Sequence, residues 1–266
     1  MVISYNIRRN INRAMKYSEL LIINFIYLLS KSFILVLIAY TCLLAGPPFF
    51  TDDPQTVDYL HWEFYISSQM QFSGNNVDAT IPHFETNYGL IPDVQIHLIV
   101  PMQYSKRESS SEFSYVNTEI GVKYRFINLD NGIQAGIFPI AEMPTGKKET
   151  PAGENNLKVF LPLWFQVHIG KFTSYGGAGY WINPGTGNKN WIYTGWQGQY
   201  DFSESITLGG ELFYHTADSR DAEGSAGFNL GGYININEQN HLLFSIGHNL
   251  TGTNTTTGYF GYLLTI

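Results

Sequence analysis

The sequence predicts an all-β fold: a transmembrane antiparallel up-and-down β-barrel of about twelve strands, preceded by a signal peptide. Three observations carry that expectation. From position 59 onward the apolar residues recur at period two rather than 3.6, the spacing of strands with two differently solvated faces. The connections between the apolar runs alternate short and long, as tight turns at one membrane face and loops at the other would require. Overall hydropathy is close to neutral although 44% of the residues are hydrophobic and only 14% charged, as expected where one wall face meets lipid and the other meets water.

The same composition excludes other classes. An average soluble domain carries roughly 25% charged residues, well above the value here. With 266 residues, 26 glycines, 18 tyrosines, 18 phenylalanines and one cysteine, the chain is not a coiled coil, a disordered tail or a disulfide-stapled miniprotein. Fifteen basic against 22 acidic residues give a net charge of −7. A phosphate-backbone binder needs a basic face, so no nucleic acid partner is expected.

The first element is residues 1–45. Arg8, Arg9, Arg13, Lys16 and Lys31 stand there against the single acid Glu19, and two apolar stretches, 20–29 and 33–44, lead to a small-residue exit at Ala45-Gly46. This is a secretory signal peptide pattern with cleavage near Ala45. The alternative is an uncleaved anchor, in which Lys31 near the centre costs about 2.5–3.5 kcal/mol on insertion scales. Removal of 1–45 leaves 10 basic and 21 acidic residues, net near −11, and takes away Cys42. A mature chain without cysteine has no thiol chemistry and needs no oxidative folding. Residues 46–58 are then expected to form a periplasmic tail or small plug ahead of the barrel at 59–266.

The strands are read in order as 60–72, 80–90, 94–104, 115–127, 133–143, 157–170, 173–182, 191–200, 205–215, 225–236, 241–249 and 258–266. Each approaches the roughly 9–11 residues that cross a bilayer at a tilt. Short turns fall at 91–93, 128–131, 171–172, 201–204 and 237–240; longer loops are expected at 73–79, 105–114, 144–156, 183–190, 216–224 and 250–257. Parity is clearest where Ile120, Val122, Tyr124 and Phe126 alternate with Glu119, Gly121, Lys123 and Arg125. Phe260, Tyr262, Leu264 and Ile266 share one face of the last strand, like the carboxy-terminal signal read by the barrel-assembly machinery, although the chain ends in Ile rather than an aromatic residue. Tyr59 and Trp62 at one end, and Trp181 and Trp191 at the other, are expected as interface girdles.

Inward parity places Glu63, Glu85 and His97 on three consecutive strands and Glu119, Lys123 and Arg125 on the fourth. Opposed charges across a lumen form a constriction that selects permeants; the same residues also serve as a structural network of paired buried charges. Phe138, Phe160 and Trp164 are candidate substrate-path aromatics. Pro101, Pro139 and Pro162 each interrupt a strand in its outer half, and proline removes a ladder hydrogen bond, so a weak wall between the third and sixth strands is expected there, either as tolerated bulges or as a lateral exit for apolar cargo.

No metal site is expected, because His61, His83, His97 and His168 lie on different strands and Asp52, Asp53 and Asp58 lack the spacing of a calcium loop. No catalytic residue is assigned: Ser245 and His248 have opposite parity and cannot converge as a hydrolase dyad. Gly146, Lys147, Lys148 and Gly153 lack phosphate-loop spacing. No cofactor or energy-coupling motif is present.

The stretch Ala45-Gly46-Pro47-Pro48-Phe49-Phe50-Thr51-Asp52-Asp53-Pro54, with Leu60-His61-Trp62-Glu63-Phe64-Tyr65, Pro82-His83-Phe84-Glu85-Thr86-Asn87-Tyr88-Gly89 and Pro92-Asp93-Val94-Gln95-Ile96-His97-Leu98, resembles the bacterial outer-membrane family labelled MetA-pathway of phenol degradation, or simply transporter. The resemblance is distinctive over 46–103 and diffuse beyond. It implies an outer-membrane barrel that passes small aromatic or hydrophobic molecules. The expected function is thus an outer-membrane channel for passive or facilitated diffusion of a small-molecule permeant, set in outer-membrane lipid and lipopolysaccharide. The alternatives are an outer-membrane lipid or acyl hydrolase and a closed structural or adhesive barrel.

Overall fold

The computed structural model describes residues 47–146 and 156–266. The signal peptide expected at 1–45, and Lys147, Lys148 and Gly153 of the 144–156 loop, lie outside the described residues.

Fourteen strand segments form one antiparallel sheet: β1 (Trp62–Ser73), β2 (Asn76–Ile91), β3 (Val94–Arg107), β4 (Ser110–Tyr115), β5 (Thr118–Asn128), β6 (Ile133–Ile137), β7 (Ile140–Met143), β8 (Lys158–Ile169), β9 (Phe172–Ile182), β10 (Trp191–Ser203), β11 (Ile206–His215), β12 (Ser225–Asn235), β13 (Asn240–Asn249) and β14 (Thr256–Thr265). β3 pairs with both β4 and β5, and β8 with both β6 and β7. Each of those couples is therefore one stave interrupted once, and the wall has the twelve staves expected. β1 pairs with β14 from Glu63↔Thr265 to Phe72↔Thr256, which closes the barrel and leaves no free sheet edge among the described residues.

Closure sorts the side chains by parity. On β5, Ile120, Val122, Tyr124 and Phe126 are exposed on the outer face, whereas Gly121 and Lys123 are buried. The outer face continues around the wall with Leu98, Leu163, Trp196, Leu212, Leu230, Ile246 and Phe260, a continuous apolar surface that only lipid solvates well. The interior carries glutamates, glutamines, asparagines, histidines and aromatic rings instead.

Three local expectations are corrected. The loops expected at 73–79 and 105–114 are absent: β1 and β2 join through Gly74-Asn75, and β3 and β4 through Glu108-Ser109. Polar residues there alternate along strands that extend past the bilayer-length core, and Gly74 takes the left-handed backbone (φ 60°) that a two-residue hairpin needs. The strand expected at 133–143 breaks at Phe138-Pro139, because proline has no N–H for the ladder. Trp181 and Trp191 are not girdle residues. They lie on inward parity, with Tyr180, Ile182 and Ile192 facing out.

Candidate functional site

Residues 47–58 pass through the barrel interior and touch opposite walls. On one side the Lys123 ammonium of β5 lies 2.9 Å from Asp52 Oδ1, and Val57 N donates to Gln95 Oε1 of β3 at 2.9 Å. On the other, the two oxygens of Glu211 in β11 accept from Phe50 N and Thr51 N, each at 2.8 Å. Thr51 Oγ1 and Tyr193 OH of β10 share a 3.0 Å hydrogen bond, and Ser245 Oγ of β13 donates to Pro48 O at 2.7 Å. Phe50 packs edge-on against Phe213. In a non-repetitive segment the backbone has no ladder, so wall side chains must satisfy its buried N–H and C=O groups. Glu211 does this for two consecutive amides, and Asn229 Nδ2 steadies its carboxylate.

The wall is shaped for the segment. A Cβ on Gly195 would stand 2.0 Å from Thr51 Oγ1, and one on Gly89 would stand 2.0 Å from Asp58 O. Thr51 and Asp53 are fully buried. Burial pushes the Asp53 carboxyl up to about 7, with the Lys123 ammonium pulling against that shift and the Asp52 carboxylate adding to it.

All nine residues singled out from the sequence lie on the interior parity, but they form separate groups. Register aligns Glu63, Asn87, His97 and Gly121 across β1, β2, β3 and β5. Between this row and the next, where Tyr65 faces Glu85, Tyr65 OH donates to Glu63 at 2.9 Å, Asn87 Nδ2 donates to Glu85 at 2.9 Å, and His97 Nδ1 lies 2.6 Å from Asn87 Oδ1 and 3.6 Å from Glu85 Oε1. Lys123 joins this group, its ammonium 4.8 Å from the centroid of the Phe138 ring, a cation–π contact. Phe138 also meets His97 edge-on at 5.1 Å, and it fills the space that Gly121 leaves by lacking a side chain.

Arg125 is not part of that cluster. It pairs with Asp93 at 2.7 Å beside the 92–93 turn, holding the turn rather than the lumen. Glu119 stands apart too: it faces Glu142 across the β5–β7 ladder, and Glu142 is paired with Lys158 at 3.4 Å. Phe160 and Trp164 join Phe138, Tyr193 and Phe213 in one buried cluster, with Ile140, Trp181 and Trp191 packed against it. Phe160, Trp181 and Trp191 are cross-strand partners on β8, β9 and β10, and their rings stack nearly parallel, with centroids 4.8 and 5.5 Å apart.

Sequence reasoning missed Glu211, Gln95, Tyr193 and the inward tryptophans. Glu211 carried a usable signal, as an acidic residue at mid-strand on the inner face of an otherwise uncharged β11. Ser245 and His248 do not meet: Ser245 is engaged by Pro48 O and His248 by Thr256. Among the described residues no group of three His, Cys, Asp or Glu side chains is placed to hold a metal ion.

A closed twelve-stave barrel with an apolar outer face is the fold of bacterial outer-membrane proteins, and the architecture assigns this chain to that class. Solved structures agree on the fold. The chain is similar to the COG4313 outer membrane channel from Pseudomonas putida F1 (TM-score 0.63, 12% identity, 84% of this chain and 100% of that one). It is also similar to the KdgM porin (0.54, 11%, 75% and 98%) and to the translocator domain of the autotransporter NalP from Neisseria meningitidis (0.55, 10%, 78% and 90%). No family model and no curated protein matches the chain.

Proposed function

We propose that this protein is an outer-membrane channel for passive or facilitated diffusion of small hydrophobic or aromatic molecules, and that residues 47–58 are its internal plug. The observation that carries the reading is the segment bridging Lys123 on one wall and Glu211 on the other, next to a buried aromatic cluster that reaches the loop-bearing rim. A barrel of this size has room for a passage only where side chains and inserted chain leave it, so the plug decides whether the axial route is open. Glu63, Glu85, His97 and Lys123 form the charged constriction against which the plug seats, and Phe138, Phe160 and Trp164 line the approach. The transporter family resembled in the sequence, and the likeness to a COG4313 channel, fit this assignment. The outward row Phe260, Tyr262, Leu264 and Ile266 is the proposed contact with the barrel-assembly machinery, and outer-membrane lipid and lipopolysaccharide surround the wall.

The test is conductance of the refolded mature protein in a planar bilayer, with phenolic and sugar solutes as blockers. Discrete currents blocked selectively by aromatics support the channel. Turnover of acyl substrates without conductance points to an enzyme, and neither activity points to a structural barrel.

The wall break favours a second route. At Phe138-Pro139 the stave changes from β6 to β7; Pro162 lies on the adjacent stave β8, and Pro101 lies on β3, beyond β5, with both of those strands running on through their prolines. Apolar cargo that has passed Phe160 would leave sideways into lipid there, without displacing the plug. Crosslinks between β5 and β8 across the break should abolish uptake by this route; unchanged uptake would remove it.

A further inference from the structure

At the loop-bearing rim a cavity of about 320 Å³ opens among Glu142, Lys158, Trp181, Asn183, Trp191 and Asp218. It stands apart from the plug and from the Glu63–Lys123 group, and the 300–1,000 Å³ range of small-molecule sites includes it. We propose that it is an entry-side binding site for an uncharged ring bearing hydroxyl groups. The inference rests on the channel reading above and names what that channel first captures.

The ring preference comes from the wall. Phe160, Trp181 and Trp191 stack nearly parallel at 4.8 and 5.5 Å, which fixes both indoles at the cavity edge as rigid apolar surface. A flat ring packs against such surface at little conformational cost. The hydroxyl preference comes from the polar groups. Neither indole N–H has a hydrogen-bond partner among the described residues, so both are available to a solute oxygen. Glu142 accepts from Asn117 and Lys158 through Oε1, and its other carboxylate oxygen can accept a hydrogen bond from a solute hydroxyl. Neutrality follows from the charges: among the described lining residues Glu142 and Asp218 outnumber Lys158, so an anionic carboxylate is repelled, while a bare hydrocarbon leaves the donors and the acceptor unmatched. Phenols and pyranosides share this chemistry, and the experiment separates them.

Binding of phenol, methyl α-glucoside, toluene and benzoate to the refolded mature protein would be measured by titration calorimetry, independently of any current. Phenol or methyl α-glucoside should bind about tenfold more tightly than toluene and benzoate, as one or two hydrogen bonds allow, and the tighter of the two identifies the source. Trp181→Phe with Trp191→Phe keeps the rings but removes both N–H donors, and should erase the advantage over toluene. Trp181→Leu should lose ring binding altogether, with folding checked by heat-modifiable gel mobility. Glu142→Gln should raise benzoate binding. Equal binding of toluene or benzoate by the native protein, or no binding of either hydroxylated ring, overturns the proposal. A folded barrel that conducts but binds none of these rings overturns this site and leaves the channel standing; one that binds and never conducts overturns the channel instead.

Discussion

The two halves of the wall are built differently. From β9 to β14 the ladders run nearly unbroken, for example from Ile206↔Ile234 to His215↔Ser225, and the inner face holds glycines, aromatic rings and amides with Glu211 at mid-strand. From β1 to β8 the register shifts at Ser67/Gln69 and Thr80/His83, two staves are interrupted, and Glu63, Glu85, His97, Glu119, Lys123, Glu142 and Lys158 face inward. Irregular backbone re-aims side chains, so the half with broken ladders carries most of the charge. The regular half supplies flat sockets such as Gly195. Residues 47–58 are pinned to both, by an ion pair on the irregular side and by two amide hydrogen bonds to one carboxylate on the regular side.

Removing residues 47–58 should have the largest effect, because it severs both attachments at once. Conductance should rise several-fold while heat-modifiable mobility still reports a folded barrel. Cutting one attachment at a time comes next. Glu211→Ala strands the amides of Phe50 and Thr51, at about 1–3 kcal/mol for each unsatisfied group. Lys123→Met removes a buried cation and leaves Asp52, which is only partly buried, in contact with solvent. Glu211→Ala should therefore free the plug more than Lys123→Met, as read by hydrogen exchange at residues 50–53 or by protease access. The reverse order would place the main anchor on the irregular side.

A smaller effect is expected from pH. Asp53 has its pKa raised from 3.8 to about 7 by burial. The docked plug therefore binds more protons than the released one between those values, so docking is strongest at low pH and weakens as pH rises through about 7. Lys123, Asp52 and Glu63 share this environment, and Asp53→Asn should flatten the dependence measured between pH 5 and 8. The smallest change belongs to Pro139→Ala. It restores one N–H at the β6–β7 break, worth about 1 kcal/mol if the ladder bond forms, and should slow lateral uptake without altering axial current.

Most of the wall was legible because period-two alternation acts locally; of the three prolines expected to interrupt strands Pro139 does so, whereas β3 and β8 run on through Pro101 and Pro162. Ile120, Val122 and Lys123 face the sides that parity requires, and the break at Pro139 falls where a missing N–H dictates. The plug attachments were not legible to the same degree. Glu211 and Phe50 are 161 positions apart, and only closure of the barrel brings the β11 wall to the amino-terminal segment. Trp181 and Trp191 misled for a related reason: tryptophan beside a loop suits an interface girdle equally well, and parity alone turns it inward. The grouping of Glu119 and Arg125 with Lys123 failed because residues on one face of one strand stand at different depths: Glu119 lies opposite Glu142 and its Lys158 partner, and Arg125 pairs with Asp93 at the turn.

The most direct measurement uses the pair Thr51→Cys and Gly195→Cys in a chain that starts at residue 47 and so lacks Cys42. A Cβ on Gly195 would lie 3.3 Å from Thr51 Cβ, close to the roughly 3.5–4.5 Å that a disulfide spans. Single-channel current would be recorded under oxidising conditions and again after reductant. If residues 47–58 close the axial passage, the locked barrel is silent and reductant restores channel openings. Equal current before and after reductant, with the disulfide verified by mass, would contradict the account.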